Sequence, residues 1–328
     1  MKSISVIIPN YNGLRLFKTY FKHNFNLLKS LPNDIEIIVV DDASKDDSIA
    51  YLKKEYGDEL KIIEKKENSG FSETCNIGIK HASKDLVFLL NTDVIIEPGY
   101  FEKLQHYFEK NDTFGVMGRI VGMHDEEILD AARSPIMIGR KIKPNHFYYL
   151  NDQSLSPTFY LSGAIALMDT AKLKAMNGFN EMFNPYYGED QELSIRAWRL
   201  GWKCYYEHNA ICRHEVSATT KCHKSKNFIK RVHFRNRYYI HHLHLQSWDL
   251  GLYHLQIILT DVLLGSLCFQ WFKPAAYFDF LKNRKALSKQ KVDFTKEMNR
   301  HHSSIQIMDI IDKIRLSQNF KGAIRWSR

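Results

Sequence analysis

The segment Lys84–Glu97, which reads KDLVFLLNTDVIIE, decides the fold class of this 328-residue chain. Two apolar runs make up most of it, and only the polar triplet Asn91-Thr92-Asp93 separates them. A continuous apolar run of this kind is typical of a strand that is buried on both faces of a sheet. Open α/β sheets bind ligands just beyond the carboxyl ends of their strands. We therefore expect Asp93 to lie at a ligand or a metal ion.

Strands and helices alternate through the preceding residues. The apolar, β-branched segments Ser3–Pro9, Ile35–Val40 and Leu60–Glu64 predict strands. Leu14–Leu31 and Phe71–His81 carry apolar residues at helical spacing. This alternation predicts an α/β fold with a mostly parallel, Rossmann-like sheet that is flanked by helices.

Polar clusters follow three of the predicted strands, at Asn10–Asn12, Asp41–Ser44 and Asn91–Asp93. The carboxyl ends of parallel strands meet at one edge of a sheet, so we expect these clusters to share one site. Turn formation alone also explains Asn and Asp at the end of any single strand. Their recurrence after three strands favours a ligand site over three separate turns.

The pattern is weaker in the second half of the chain. We predict a helix over Tyr100–Asn111 and a strand over Phe114–Val121, followed by a loop-rich stretch to about residue 153. The apolar segment Phe159–Met168, FYLSGAIALM, predicts a second buried strand.

An acidic trio, Glu189, Asp190 and Glu192, begins the helix that we predict within Phe183–Trp202. Negative charge in a first helical turn is stabilised by the helix dipole, which explains the trio without any function. Acid–base chemistry is the alternative explanation, because carboxylates near a substrate are common general bases. The same helical pattern places Arg199 on the outward face.

The net charge of +9 is unevenly distributed. Residues 221–328 contain 20 Lys and Arg against 7 Asp and Glu, whereas residues 1–220 contain 26 against 30. This asymmetry predicts a near-neutral body and a basic C-terminal region that suits an anionic surface. A solvated face that keeps the protein soluble is the alternative. Basic and aromatic residues alternate after His214, but no nucleic-acid-binding motif accompanies them, and we expect no nucleic-acid partner.

The apolar segment Leu250–Phe272 lies within this basic region. Its polar residues Gln256, Thr260, Ser266 and Gln270 fall on one helical sector, and basic residues flank the segment. This arrangement favours a helix that lies on a membrane surface over one that crosses the bilayer. Packing of the helix on the rest of the protein remains an open alternative.

Five scattered cysteines without a Cys-x-x-Cys pair fit reduced, cytosolic thiols better than a disulfide framework or a zinc site. The first residues, MKSISVIIPNYNG, have no apolar run long enough for a signal peptide. We therefore expect a cytoplasmic protein, peripheral at the cytoplasmic face of the membrane.

An ordered set of motifs resembles glycosyltransferase family 2. The matching segments are VIIPNYNG, VVDDAS, ENSGFSETCNIGI, LLNTDV, SGAIAL, GFNEMFNPYYGEDQELSIRAWRLGWKCYY and RHEVSAT. The resemblance covers about residues 3–220 and implies a GT-A fold. It implies a catalytic domain over residues 1–220, with a nucleotide-sugar-binding half (1–97) and an acceptor half (98–220), followed by a basic helical extension (221–328).

The resemblance also implies roles for individual residues. It assigns the nucleotide to Pro9, Tyr11, Asp41, Asp42, Gly70, Asn76 and Thr92. It assigns Mg²⁺ or Mn²⁺ to Asp93 and His214, with Asn91 at the position where the family has its first metal-binding Asp. It makes Asp190 the general base and Glu189 a contact to the acceptor or a support of the loop.

The function implied is that of an inverting glycosyltransferase with a UDP- or dTDP-sugar donor. The acceptor would be a glycan or lipid-linked glycan of a lipopolysaccharide, O-antigen or capsule, and the rhamnosyltransferase-like branch is a neighbour. A catalytically inactive, membrane-associated glycan-binding or scaffold protein of the same fold is the alternative. A sugar-1-phosphate nucleotidyltransferase would need a Gly-rich, basic segment after the first strand, which PNYNG is not.

Overall fold

A ten-stranded mixed sheet forms the centre of the molecule in the computed structural model, which describes residues 1–151, 155–215, 225–319 and 322–326. The strands are β1 (Ile4–Asn10), β2 (Ile35–Asp41), β3 (Lys61–Glu64), β4 (Leu86–Leu89), β5 (Val94–Ile96), β6 (Thr113–Gly122), β7 (Ile128–Asp130), β8 (Arg133–Ile138), β9 (Lys141–Leu150), β10 (Ser156–Pro157), β11 (Leu167–Asp169), β12 (Lys203–His214) and β13 (Ala323–Trp326). The sheet order is β10-β12-β6-β11-β4-β1-β2-β3, with β5 beside β12 and β7 beside β6.

Helices cover both faces of this sheet and build the C-terminal region. They are α1 (Leu14–Leu16), α2 (Lys22–Ser30), α3 (Ser48–Tyr56), α4 (Phe71–His81), α5 (Tyr100–Gln105), α6 (Thr170–Ala175), α7 (Glu189–Arg199), α8 (Lys226–His244), α9 (Ser247–Ile257), α10 (Leu264–Leu267), α11 (Phe272–Arg300) and α12 (Ile307–Ser317). One π-helical turn, Phe17–Phe21, joins α1 to α2, and another, Ile258–Leu263, joins α9 to α10.

The N-terminal half confirms the predicted α/β fold class. Strands β4, β1, β2 and β3 are parallel neighbours, and every residue of β4 is buried. The segment Lys84–Glu97 is nevertheless two strands in different places. After β4 the chain turns at Asn91–Asp93, and β5 pairs antiparallel with β12 instead of continuing along β4.

The strand predicted over Phe159–Met168 is wrong for most of its length, because only Leu167–Asp169 forms a strand. The backbone before it is held by irregular contacts that a strand ladder does not make. The Leu161 N–H donates to Ser194 Oγ at 2.9 Å, and the Ala164 carbonyl accepts from the Asn91 N–H at 3.2 Å. Apolar composition reported the burial of this segment correctly, but it does not distinguish a buried loop from a strand.

The prediction of loops up to residue 153 is also wrong, because β8 and β9 form a hairpin around Gly139, which has a φ of +60°. A third strand, β13, joins β9 on its other side and comes from the far C-terminal end of the described chain. Proline, basic and polar residues within Lys141–Leu150 obscured the alternation that normally marks such a hairpin.

The C-terminal helices share one hydrophobic core with the sheet. Helix α12 buries Ile307, Ile310, Ile311 and Ile314 against α7 and β8. Arg199 lies in this contact, where its Nε donates to the Ile305 carbonyl at 3.3 Å, so the prediction that it faces outward is wrong. The predicted boundary near residue 220 lies outside the described residues.

Candidate active site

A cavity of about 700 Å³ opens at the carboxyl ends of β1 and β4, where the sequence predicted a ligand site. The cavity is lined by Pro9, Asn10, Tyr11, Asp42, Asn68, Gly70, Phe71, Thr74, Asn91, Thr92, Asp93, Ser162, Gly163, Ala164, Pro185, Tyr186, Tyr187, Glu189, Asp190 and His214. Its size is within the range of small-molecule sites. All but two of the predicted site residues line it.

Asp41 is the first of the two predicted site residues that do not line the cavity. Its buried carboxylate accepts from Asn10 Nδ2 at 2.7 Å and from the Ser44 N–H at 2.9 Å. These bonds tie the turn after β2 to the end of β1. Asp41 therefore shapes the edge of the sheet, and the predicted contact with a nucleotide does not fit its position.

Asn76 is the second. Its Nδ2 donates to the Phe179 carbonyl at 2.9 Å, and its Oδ1 accepts from the Phe179 N–H at 2.7 Å. This paired contact joins α4 to the segment that leads towards α7. The amide is directed away from the cavity, so the predicted nucleotide contact is wrong here also.

Asp42 lines the cavity, but its carboxylate is already engaged by the protein. Oδ1 forms a buried ion pair with Lys65 Nζ at 2.7 Å and accepts from the Ser69 N–H at 3.0 Å, and Oδ2 accepts from the Gly70 N–H at 3.0 Å. Lys65 was not predicted as a site residue, because it lies among polar loop residues. Asp42 thus fixes the loop before α4, whose residues Asn68 and Gly70 form part of the cavity wall.

Two observations explain why position 70 is a glycine. Its φ of +95° is in the region that glycine alone adopts readily. A Cβ there would lie 3.0 Å from Asn184 Oδ1 and 3.2 Å from Pro185 Cα, closer than a side chain is normally tolerated. The atoms that approach Gly70 closely belong to another loop of the protein. A ligand in the cavity would be a further neighbour.

Asp93 and His214 meet because β5 and β12 pair, with His214 opposite Val94. The distance from Asp93 Oδ1 to His214 Nε2 is 3.2 Å. The next residue, Glu215, donates its N–H to the Asp93 carbonyl at 3.0 Å, and its carboxylate accepts from Arg15 and from Tyr20. The two predicted metal ligands are therefore held together by a strand pair and by an ion pair to α1.

The residues at this end of the cavity fit a divalent metal ion that is shared with a phosphate ligand. Asn91 Oδ1 is buried and has no hydrogen-bond partner among the described residues, so a neutral oxygen is available as a third ligand with Asp93 and His214. Mg²⁺ is commonly bound by one or two carboxylates together with substrate phosphates and water. No cluster of three or more His, Cys, Asp or Glu side chains suited to a metal occurs in the part of the chain that the structure describes. The protein alone therefore supplies an incomplete ligand set.

The carboxylates of Glu189 and Asp190 begin α7 at the cavity wall, after Gly188, whose φ is +86°. Asp190 Oδ1 accepts from the Gln191 N–H at 2.7 Å, and Glu189 Oε2 is buried with no hydrogen-bond partner among the described residues. Exclusion of water raises the pKa of Asp190 to about 6, and the same effect, with the negative charge of Asp190, raises the pKa of Glu189 to about 8. The two raised pKa values belong to the pair, which loses its first proton below neutral pH and its second proton above it.

The loop before this pair, residues 183–188, is held by a side chain of α8. Asn236 Nδ2 donates to the carbonyls of Phe183 (2.7 Å), Tyr186 (3.0 Å) and Tyr187 (2.7 Å). Arg235 adds a bond of 2.6 Å to the Asn184 carbonyl. Tyr186 and Tyr187 line the cavity, so this clamp shapes it from outside. The sequence signal that we overlooked is a single Asn on the buried face of an amphipathic helix.

Ser162 and Gly163 are further cavity residues that the sequence prediction missed. The Gly163 N–H points to Asp190 Oδ2 at 3.5 Å, and Ser194 Oγ links the Asp190 carbonyl to the Leu161 N–H. Their small size, visible in SGA, was the available signal, but we interpreted the segment as the inside of a strand. In the structure the small residues leave room beside the Asp190 carboxylate.

The mixed sheet has this strand order, and one cavity at its edge contains both a carboxylate–histidine pair and a pair of two carboxylates. These features together define a GT-A type protein. The model of glycosyl transferase family 2 matches residues 5–176. The match covers more than half of the chain, and the chain belongs to that family.

Several relatives match the chain over limited lengths. Inactive polypeptide N-acetylgalactosaminyltransferase-like protein 5 of Macaca fascicularis is 24% identical over 72% of this chain and 59% of its own. A glycosyltransferase of Haemophilus influenzae is 31% identical over 35% of each chain. The poly(ribitol-phosphate) β-N-acetylglucosaminyltransferase TarP of Staphylococcus aureus is 32% identical over 36% of this chain and 37% of its own. This chain therefore spans less than two thirds of these relatives.

Solved structures show the same fold at low sequence identity. S. aureus TarS 1–349 in complex with UDP-GlcNAc has a TM-score of 0.55 at 18% identity, over 97% of this chain and 90% of that one. GalNAc-T7 with UDP, GalNAc and Mn²⁺ has a TM-score of 0.59 at 14% identity, over 76% and 49%. The likeness to TarS extends into the helical C-terminal part.

Proposed function

We propose that this protein is an inverting glycosyltransferase that moves a sugar from a UDP- or dTDP-sugar to a glycan acceptor of a cell-surface polysaccharide. The observation that carries the proposal is that one cavity is lined both by Asp93 with His214 and by Glu189 with Asp190. The first pair suits a metal-bound diphosphate, and the second suits acid–base chemistry at a hydroxyl.

Asp93, His214 and the side-chain oxygen of Asn91 would hold Mg²⁺ or Mn²⁺. When bound, the ion supplies positive charge that stabilises the departing diphosphate. Thr92 lies between two of these residues at the cavity wall, where it would approach the donor. Pro9 and Tyr11, at the end of β1, would contact the nucleoside.

Asp190 would act as the general base. Its carboxylate takes the proton of the acceptor hydroxyl while the oxygen forms a bond to the anomeric carbon, and the bond from that carbon to the diphosphate oxygen breaks. One such displacement inverts the anomeric configuration. A pKa of about 6 keeps Asp190 ionised at neutral pH and still basic enough to accept a proton. Glu189, neutral at the same pH, would donate a hydrogen bond to a sugar or acceptor oxygen.

The nucleotide-bound neighbours include both uridine and guanosine donors, because the mannosyltransferase PcManGT of Pyrobaculum calidifontis is solved with GDP-Man and Mn²⁺. The structures of TarS and GalNAc-T7 contain UDP-GlcNAc and UDP respectively, and the latter contains Mn²⁺. TarP is named for transfer to poly(ribitol-phosphate), an anionic cell-wall polymer. These properties belong to the relatives, and they make a surface glycan the acceptor class to test first.

A nucleotide-sugar screen tests the proposal directly. We expect UDP- or dTDP-sugars to raise the melting temperature in the presence of Mn²⁺, and to be hydrolysed slowly when no acceptor is present. GDP- and CMP-sugars serve as controls for the nucleoside. If no nucleotide stabilises the protein at any Mn²⁺ concentration, the proposal fails.

A catalytically inactive glycan-binding or scaffold protein is the second candidate. Two observations favour it: Asn91 stands where the family has an acid, and one relative is named as inactive. Such a protein would bind the nucleotide-sugar or glycan without turnover. Stabilisation by a UDP-sugar, without hydrolysis or transfer to any glycan of a broad acceptor panel, would support this candidate over the enzyme.

A further inference from the structure

The helical segment Ser247–Leu267 turns its polar side chains towards the protein. Gln256 Oε1 accepts from the Arg140 N–H at 2.7 Å, and Gln256 Nε2 donates to the Ile138 carbonyl at 2.9 Å. Lys141 Nζ donates to Thr260 Oγ1 at 2.6 Å. These contacts dock the helix on the β8–β9 hairpin through the polar sector that the sequence indicated, which is the packing that the sequence left as an alternative.

Asp261, which the sequence placed off the polar sector, lies in the same contact. It is 5% exposed, pairs with Lys141 at 2.8 Å and accepts from the Tyr238 hydroxyl at 3.2 Å. Asp249, at the start of the segment, pairs with Arg140 at 2.8 Å. Both carboxylates of the segment are therefore neutralised by the hairpin.

The opposite side of the segment exposes an apolar ridge, which we define as Trp248, Leu255, Leu259, Leu263 and Leu267. Positions seven and four apart lie on one face of a helix, and the wider π-helical turn Ile258–Leu263 keeps the last members in line. Trp248 is 78% exposed and Leu267 is 74% exposed. A soluble helix normally has the reverse arrangement, with its apolar face packed inward.

The ridge is continued by further exposed aromatic residues. Phe269 is 81% exposed and Trp271 is 62% exposed, so that Trp248 and Trp271 lie on either side of the leucines along the chain. Tryptophan is enriched at the boundary between lipid and water, where an apolar ring with one polar atom is most stable. The segment is long and apolar enough to cross a membrane, and only 22% of its most apolar stretch is buried in the protein.

Basic side chains follow the ridge on α11. Lys282, Arg284, Lys285 and Lys289 are exposed, and none of them forms an ion pair with a residue that the structure describes. The acid of this stretch, Asp279, is neutralised by Arg231 at 2.6 Å. The stretch of α11 that follows the ridge along the chain therefore presents exposed positive charge.

We propose that the apolar ridge and the basic side chains after it dock this protein onto the surface of an anionic phospholipid bilayer. The segment would lie in the plane of the interface, with the leucines and tryptophans below the headgroups and the lysines at the phosphates. Spanning the bilayer would break the bonds of Gln256 and Thr260 and carry Asp261 into hydrocarbon, which is costly.

Charge favours a lipid surface over a second copy of this chain as the occupant. Two copies that paired through this face by twofold symmetry would bring the same patch against itself. Such a pair would bury the leucines but would offer no free acid of this segment to the cations at positions 282, 284, 285 and 289, because Asp249 and Asp261 are already paired. An anionic bilayer instead complements both the apolar and the basic part of the surface.

Vesicle co-sedimentation tests the apolar part. We use vesicles of phosphatidylcholine with phosphatidylglycerol, which contain no acceptor, so the result is independent of the catalytic proposal. Leu259→Gln with Leu263→Gln, in one variant, should weaken partition into these vesicles by about tenfold or more, because two leucines lose their burial in lipid. Glutamine keeps helix propensity, so the melting temperature should not change.

Leu316→Gln is the matched control, because Leu316 is an exposed leucine on α12, away from the ridge. It should bind vesicles like the wild type. Equal binding by the ridge variant and the wild type would overturn the proposal. So would a wild-type dimer in sedimentation velocity that the ridge variant dissociates, since the ridge would then be covered by a second copy.

The basic part has its own measurement. Lys282→Gln with Lys285→Gln should lower partition into phosphatidylglycerol-containing vesicles by about fivefold per lysine. Raised salt should also lower the partition of the wild-type protein into these vesicles. Partition into pure phosphatidylcholine should be weak and unaffected by these substitutions. Equal wild-type affinity for both kinds of vesicle would refute the anionic surface as the partner.

Discussion

The two walls of the cavity are held in different ways. On the strand-end wall, Asp93 and Asn91 are placed by main-chain pairing, because the chain leaves β4 and pairs β5 with β12. On the loop wall, Glu189 and Asp190 follow a loop that a side chain of α8, Asn236, holds by three carbonyl bonds. The strand-end wall is thus a product of sheet topology, whereas the loop wall depends on a helix of the C-terminal region.

We infer from this difference that nucleotide and metal binding and acid–base chemistry are supported by different parts of the chain. The residues that suit the diphosphate and metal lie on the wall that the sheet builds. The carboxylates that suit acid–base chemistry lie on the wall that the C-terminal region supports. Substitutions on one wall should therefore change nucleotide and metal binding, and substitutions on the other should change turnover.

The largest effect is expected on the loop wall. Asp190→Asn removes the base with almost no change of shape, and the transfer rate should fall by about 10²–10⁴-fold. The Kd of the nucleotide, measured by calorimetry, should stay within about twofold. Asp293→Asn, an exposed substitution on α11, is the control that should leave both quantities unchanged. Near-normal turnover in Asp190→Asn would exclude Asp190 as the base.

The strand-end wall is tested by Asp93→Asn. Loss of the carboxylate that contacts His214 should weaken Mn²⁺ binding in the presence of UDP by about 100-fold or more. Residues that only support a metal ligand already account for about 10–100-fold in metal affinity. Calorimetric titration of Mn²⁺ measures the change. Asn91→Asp adds a second carboxylate and should tighten Mn²⁺ binding. Unaltered Mn²⁺ affinity in Asp93→Asn would remove this residue from the metal site.

Asn236→Ala tests whether the two walls support nucleotide binding and turnover separately. Loss of a buried amide that serves three carbonyls should lower the free energy of unfolding by about 3 kcal/mol, and turnover should fall because residues 183–188 lose their support. Denaturant unfolding and transfer assays measure the two effects. Asn283→Ala, on α11, loses a bond to Tyr239 without touching the loop and should keep its turnover. A loss of nucleotide affinity as large as the loss of turnover would contradict the separation.

The last prediction concerns a change with pH, measured on the stability of Glu189→Gln. The pKa of Glu189 is raised in the folded protein, so its contribution to stability is fully present below the ordinary pKa of a glutamate and is lost as pH rises through about 8. Glutamine does not titrate. The unfolding free energy of the variant minus that of the wild type should rise by about 1.4 kcal/mol per pH unit within this interval. A difference that is constant with pH would show that the pKa of Glu189 is not raised.

The sequence predicted the strands that end at the strand-end wall, because they are defined locally, but it did not predict the pairing of β5 with β12 that brings His214 to Asp93. Apolar runs define β1, β2 and β4, and the polar residues at their ends fall at one edge by the rules of parallel sheets. Helix α4 was predicted with its observed bounds, Phe71–His81. Asp41 and Asn76 were misassigned, because the residue type does not reveal whether a polar side chain turns towards the cavity or back into the protein.

The loop wall and the C-terminal region were less predictable, because long-range contacts decide them. Asn236 lies about fifty residues from the carbonyls that it binds, and the sequence around Asn236 contains no signal for these bonds. The sequence left open for the same reason whether Ser247–Leu267 packs on the rest of the protein. A polar helical sector indicates a face that needs hydrogen bonds, but either water or the β8–β9 hairpin can provide them.

The strand Ala323–Trp326 has a consequence for synthesis of the protein. Its pairing residues on β9 leave the ribosome far earlier, so the outer edge of β9 waits unpaired until residues 323–326 have also been made. An open edge of this kind invites pairing between nascent chains. Removal of residues 323–326 should therefore lower soluble expression, because the hairpin beneath the apolar ridge would lose its neighbour.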